Sequence, residues 1–273
     1  MITEHMFQTY YIISVIVFLL YFYITRRRAF VERIPKIVFT YWSSKNEKAN
    51  LLVDKCVSTW RIHNPDWEIF FLNDSNVHEF SNLVHDPNKC SIQHFSDLLR
   101  LDLLSRHGGV WLDATNWMTT SLNWILSTQN EKYSVIGFRN PIKPHTHIME
   151  NWFIACAPQS LFIKKWQAEF YRAIRDVDQY LETVPRVLWD QVENPKYLVQ
   201  NVAWNVTYQS NPVLRAGVCL LDSKNSVFKL HWDSKWDPVV FSNRFVKHNS
   251  QYKPFIKITQ IERSHVCDVI TRL

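Results

Sequence analysis

Between Phe7 and Ile24 the chain runs for eighteen residues without a charge, FQTYYIISVIVFLLYFYI. An apolar run of about that length is near the ~20 residues a bilayer-spanning helix needs. Arg26, Arg27 and Arg28 follow it, and no small-residue cleavage site does, so the pattern predicts a retained transmembrane helix and not a removed leader. Residues 1–33 therefore read as an anchor with a basic juxtamembrane segment. Beyond them the periodicity changes. Ile37–Trp42 is β-rich, Leu51–His63 is helical, and Glu68-Ile69-Phe70-Phe71 within Trp67–Leu72 is a buried-strand pattern, a β-α-β order. In Gln93–His107 the apolar residues Phe95, Leu98, Leu99 and Leu103 recur at helical spacing, and His107-Gly108-Gly109 is a helix stop. Val110-Trp111-Leu112 is a short strand halted by Asp113. Further strands are predicted at Tyr133–Arg139, Trp152–Ala157, Val213–Leu221 and Val227–Leu230, with a helix at about Leu161–Ile174. Strands interleaved with helices predict an α/β fold with a mostly parallel sheet covered on both faces. With no linker and no repeat, residues 34–273 read as one domain.

Composition sharpens this picture by exclusion. Hydrophobic residues make up 47% of the 273 and charged residues 21%, enough for a large core and too apolar for a disordered chain. Four glycines exclude a P-loop or a G-x-G-x-x-G dinucleotide loop. Five cysteines without a C-x-x-C pair argue for scattered buried thiols. His78-Glu79 lacks the second histidine of H-E-x-x-H, no G-x-S-x-G is present, and His145-Thr146-His147 has no third ligand in view. The net charge of +6 is not clustered after Lys36, so nucleic acid is not an expected partner. Arginines after the apolar run place the bulk of the chain on the cytosolic side by the positive-inside rule. Two sequons, Asn73-Asp74-Ser75 and Asn205-Val206-Thr207, point to the alternative, a Golgi-type lumenal placement.

Chemistry concentrates where the second helix meets the short strand. Ligands of open α/β sheets bind beyond the carboxyl ends of the strands, and Asp113 sits at such an end. On the preceding helix Asp97 and Arg100 are i, i+3 neighbours that present a carboxylate beside a guanidinium. Taken alone, that spacing also fits an ordinary surface ion pair.

The string from Ser96-Asp97-Leu98-Leu99-Arg100 to Gly108-Gly109-Val110-Trp111-Leu112-Asp113-Ala114-Thr115 resembles the S-D-x-x-R … G-G-x-[YW]-x-D-x-[DT] signature of the family 32 nucleotide-sugar transferases, most closely the capsular polysaccharide synthesis proteins. The opening Ile34–Trp42, with Ser58-Thr59-Trp60 and Asn64-Pro65-Asp66-Trp67-Glu68, is also similar. This resemblance implies a glycosyltransferase-A-like fold and an enzyme that moves a sugar from a UDP- or GDP-sugar to a glycan hydroxyl with retention. It gives Trp42 a role in stacking on the nucleotide base, Asp97 one in accepting sugar hydroxyls, and Arg100 one in pairing with sugar or pyrophosphate oxygens. Trp111 joins the donor-binding set, and Asn151 in Glu150-Asn151-Trp152 a possible sugar contact. Asp113 matches the first aspartate of D-x-D, which holds a divalent cation, Mn²⁺ or Mg²⁺. Thr115 stands at the second aspartate and offers one neutral oxygen, with His231 a candidate to complete the ligand set. Thr115 also keeps open the alternative of a catalytically silent, sugar- or partner-binding protein.

Overall fold

Ile37–Tyr41 forms strand β1, buried at four of its five positions, as a run apolar on both faces requires of a central strand. It pairs in parallel with β2 (Glu68–Leu72) on one side and with β3 (Gly109–Leu112) on the other. The computed structural model describes residues 32–43, 47–88, 90–130, 132–139, 147–190, 192, 194–222, 227–232 and 255–260, together with Val15. Two compact units divide the chain, Met1–Glu32 and Arg33–Leu273.

Among the described residues the main sheet has six strands in the order β2-β1-β3-β6-β5-β7. Strand β5 is Val135–Arg139, β6 is Met149–Cys156 and β7 is Val218–Asp222. Only β6 runs against its neighbours β3 and β5; every other pairing is parallel. The mostly parallel sheet read from the interleaved pattern is therefore present. Side-chain alternation sorts the strands between two cores. Phe39, Trp111 and Ile154 face one core, which helices α2 (Ile92–His107), α4 (Leu161–Arg175) and α6 (Val199–Ser210) cover. Val38, Val110, Leu112 and Phe153 face the other. Helix α1 (Glu47–His63) inserts Val53, Val57 and Trp60 there, and α3 (Trp124–Gln129) adds Ile125.

Helix α2 starts where Ser91 accepts a hydrogen bond from the His94 amide, 3.2 Å, and stops at Gly108 with φ 65°. Two consecutive glycines are required at this reversal. A Cβ on Gly108 would lie 2.5 Å from the Pro158 nitrogen, and one on Gly109 (φ 89°) 2.7 Å from the Ile37 carbonyl. The chain must pass against β1 here with a backbone that L-residues rarely adopt. We expect Gly109→Ala to lower stability by at least the ~1–2 kcal/mol of the left-handed backbone alone, measured as a lower urea midpoint.

Several elements differ from the sequence pattern. The strand expected over Val213–Leu221 is a helix, α7 (Pro212–Arg215), followed by β7 from Val218. Pro212 at the first helical position presets the helical φ and needs no donor there. Five elements were not expected from the pattern: α3, α5 (Val177–Thr183), α6, the short β4 (Asn116–Met118) and β9 (Phe255–Gln260). Strand β4 pairs with β9, which pairs in turn with β8 (Val227–Trp232), giving a second sheet.

The expectation of a single-pass membrane protein is corrected. Among the described residues no helix is long and apolar enough to cross a membrane. The longest, α1, spans 17 residues and carries charges throughout. The Phe7–Ile24 run on which the expectation stood lies, Val15 apart, outside the described residues. The lumenal alternative loses one of its two sequons as well. Asn205 is buried, and its amide donates to the Leu188 carbonyl at 3.1 Å, so the folded protein presents no acceptor there. The thiols follow expectation among the described residues: Cys56 and Cys156 are buried, and Cys90 and Cys219 half-buried.

Candidate active site

The Gly108-Gly109 reversal sends β3 back along α2, so the N-terminal half of the helix lies at the carboxyl end of the strand. Asp97, Arg100 and Asp113 meet there. Arg100 Nη2 is 2.9 Å from Asp97 Oδ1 and 3.6 Å from Asp113 Oδ1. Its Nη1 donates to the Asn151 carbonyl of β6 at 2.7 Å, and Nε and Nη2 donate to the carbonyl and hydroxyl of Ser96 at 3.3 and 3.4 Å. The guanidinium lies 5.1 Å from the centre of the Trp111 ring. Arg100 is 4% exposed. This is no surface ion pair: the Arg100 guanidinium and the Asp97 carboxylate are buried together at the carboxyl end of the strands, where each requires the other, and Asp113 stands half-exposed beside them.

Asp97 is set from two further sides. Asn151 Nδ2 donates to its Oδ1 at 3.1 Å and also to the Gln200 side-chain carbonyl. Gln200, on α6, donates to the Asp97 main-chain carbonyl at 3.3 Å, and its own carbonyl accepts from Trp166 Nε1 at 3.2 Å. Gln200 escaped the sequence reading because the residues it joins, Trp166, Asn151 and Asp97, lie 34, 49 and 103 positions away; only the amphipathic pattern of α6 could have flagged its helix. Asp113 is anchored through its backbone. Its amide donates to the Trp152 carbonyl at 2.9 Å, and the Asn116 side chain donates to its carbonyl at 2.6 Å. Trp111 Nε1 donates to Asp113 Oδ1 at 3.0 Å. Thr115 follows, half-buried, after buried Ala114.

Trp42 lies on the same edge, immediately after β1. Its amide donates to the Leu72 carbonyl and its indole N–H to Asn50 Oδ1, both at 2.9 Å. With Phe71, Asn73 and Asp74 it lines a cleft of about 540 Å³ beyond the ends of β1 and β2. Edge contact of Tyr41 with Phe95, ring centres 5.4 Å apart, ties this cleft to the helix that carries Asp97. The structure thus brings Asp97, Arg100, Trp111, Asp113 and Asn151 into one cluster and places Trp42 in a neighbouring cleft. His231 lies in β8, and its side chain falls outside the described residues.

Burial, opposed by the Arg100 charge and reinforced by Asp113, pushes the Asp97 carboxyl up to about 6. The folded protein therefore holds this proton between about pH 4 and 6, where an unfolded chain releases it. Asp97 favours the fold most at low pH, and that contribution is lost as pH rises through 6. Acceptance of ligand hydroxyls runs the other way, because it needs the ionised form. We expect affinity for a nucleotide-sugar, titrated calorimetrically without divalent cation, to rise with pH through about 6 and to become flat in Asp97→Asn.

The family described as "Capsular polysaccharide synthesis protein" matches residues 21–184, and the chain belongs to it. The "O-glycosyltransferase braB" of Annulohypoxylon truncatum is 27% identical over 160 residues, 52% of this chain and 38% of that protein. The "Glycosyltransferase afumC" of Aspergillus fumigatus is 38% identical over 88 residues, 31% of this chain and 22% of that one. The chain spans less than two fifths of the length of these curated relatives. Among solved structures, the galactosyltransferase LgtC in complex with donor and acceptor sugar analogs has a TM-score of 0.45 at 13% identity, covering 87% of this chain and 96% of that one. A glycosyltransferase involved in glycosylation of the major capsid of PBCV-1 has a TM-score of 0.48 at 7% identity, covering 88% and 100%.

Proposed function

We propose that this chain is a glycosyltransferase of the glycosyltransferase-A type, moving a sugar from a UDP- or GDP-sugar to a glycan or polysaccharide hydroxyl with retention of configuration. The observation that carries the proposal is the Asp97–Arg100–Asp113 cluster at the strand-end edge beside the Trp42 cleft. Trp42 takes the base by stacking. Asp97, held by Arg100 and Asn151, accepts hydrogen bonds from the donor's sugar hydroxyls. Arg100 departs from the direct role its motif implies, because its N–H groups already serve Ser96, Asn151, Asp97 and Asp113. It is a positioning residue that keeps two carboxylates together where they would otherwise repel. In the reaction the bond between the sugar's anomeric carbon and the diphosphate breaks, and one to the acceptor oxygen forms on the same face. The acceptor loses its hydroxyl proton and the nucleoside diphosphate leaves.

Asp113 supplies a carboxylate and Thr115 a hydroxyl, while no group of three His, Cys, Asp or Glu side chains that could hold a metal ion is found among the described residues. That set fits a hard cation of the Mg²⁺ or Mn²⁺ kind, which is commonly held by one or two carboxylates with the substrate's own phosphates. Such an ion, when bound, neutralises charge on the departing diphosphate.

The deciding experiment incubates the purified protein with UDP- and GDP-sugars and acceptor glycans and follows release of nucleoside diphosphate. Release supports the proposal. Donor binding without release, with every donor and acceptor tried, would favour the silent binding protein that Thr115 keeps in view. For the base contact, we expect Trp42→Ala to weaken nucleotide binding by about 5- to 150-fold, since stacking on an aromatic ring contributes ~1–3 kcal/mol per base. Isothermal titration with UDP and GDP measures it.

A further inference from the structure

Gln200 stands in the first turn of α6, 2% exposed, among the buried apolar residues Val199, Val202 and Ala203. An amide in such a place needs partners for its oxygen and its N–H groups. Its partners belong to the site. Gln200 Oε1 accepts from Asn151 Nδ2, and Nε2 donates to the Asp97 main-chain carbonyl at 3.3 Å. Asn151 Nδ2 donates as well to Asp97 Oδ1 at 3.1 Å. Only one orientation of each amide satisfies this network. Turning Gln200 over would set N–H against N–H and oxygen against the Asp97 carbonyl, and turning Asn151 over would set its oxygen against two acceptors. Holding α6 in place does not require this side chain, because the Trp166 indole N–H bonds the Gln200 main-chain carbonyl whatever residue stands there.

What the side chain does is set the polarity of Asn151. A side-chain amide nitrogen carries two N–H groups. Asp97 takes one of those on Asn151 and Gln200 takes the other, so what half-buried Asn151 has left for a ligand is its oxygen. Without Gln200 the second N–H would be released, and Asn151 could donate to a ligand oxygen instead. We propose that Gln200 is a positioning residue that makes Asn151 a hydrogen-bond acceptor beside the acceptor Asp97, so that this wall takes the donor's sugar through hydroxyls that donate. This rests on the reading of Asp97 as facing the sugar end of the donor site.

The test measures dissociation constants of UDP-glucose, UDP-galactose and GDP-mannose, and of UDP and GDP, for the full chain as wild type, Gln200→Met, Asn151→Ala and the double variant. For the tightest-binding sugar nucleotide, Gln200→Met should weaken binding about 3- to 10-fold, the scale of one hydrogen bond, and leave the matching bare diphosphate unchanged. In the Asn151→Ala background the same substitution should add nothing, because Gln200 acts through Asn151. A merely structural role would weaken both ligands alike, or add in full to Asn151→Ala. A measurement on wild type alone guards against a variant that fails to fold. Single hydroxyls of that donor's sugar are replaced by hydrogen or by fluorine, which accepts a hydrogen bond weakly and cannot donate one. At the hydroxyl whose removal costs most, the fluorinated donor should bind as weakly as the deoxy one. Affinity recovered with fluorine, unchanged sugar-nucleotide binding in Gln200→Met, equal weakening of both ligands, or additivity with Asn151→Ala would overturn the role of Gln200 and leave the donor site standing. Failure of every sugar nucleotide and diphosphate to bind would overturn the donor-site reading itself.

Discussion

Asp113→Asn should reduce sugar transfer to about one hundredth of the wild-type rate or less while moving the thermal midpoint by no more than a few degrees. In the proposed reaction the carboxylate at the open end of β3 would hold the cation that neutralises the departing diphosphate, and loss of one preorganised electrostatic group at such a place costs ~10²–10³ in turnover. The fold does not depend on it, because the loop is held through backbone groups. The Asp113 amide bonds to Trp152 and its carbonyl to Asn116, and Asn116 is itself held by the Trp60 indole N–H, 2.6 Å from its carbonyl. Turnover within a few-fold of wild type in this variant would remove Asp113 from the mechanism. A large fall in the melting temperature would assign it to the structure instead.

Arg100→Met should do the opposite. Its long apolar chain fills similar space, but it strands two carboxylates beside one another in a largely buried place and leaves the Asn151 and Ser96 carbonyls without their donor. Removing one partner of a buried ion cluster costs ~3–5 kcal/mol, which urea unfolding at pH 7.5 would read directly. The loss should shrink as pH falls toward about 6, because without the Arg100 charge, which lowers the Asp97 carboxyl, Asp97 takes up its proton at a higher pH than in wild type and no longer needs a counter-charge. A surface pair would change stability by less than ~1 kcal/mol at any pH. These outcomes would separate the two proposed roles, Asp113 acting on the ligand and Arg100 on the carboxylates that do.

How much of this was legible in the sequence follows from how local each cause is. The strand at Ile37–Tyr41, the helix ending at His107 and the stop at Asp113 are written in residues within a few positions of one another, and the structure has them within a few residues of the expected bounds. Asp97 and Arg100 were visible as a pair for the same reason. Their burial was not, since an i, i+3 spacing is identical on a wet face and a dry one, and what dries this face is Asn151 and Gln200 arriving from 54 and 103 residues along the chain. Helix α7 in place of a strand shows the limit from the other side: the apolar Val213 and Leu214 fit either element, and Pro212 with the short span before Gly217 decided.

By itself, then, the chain determined the β-α-β rhythm, the glycine reversal and the motif that ties it to its family, because periodicity, backbone freedom at Gly108 and Gly109 and short-range spacing are properties of neighbours. Tertiary structure alone decided that Arg100 faces inward, that the Asp97 carboxyl is pushed up, and that Tyr41 and Ser43 converge on Asp74. Each of these depends on which distant groups share a place from which water is excluded, and a linear pattern does not carry that information.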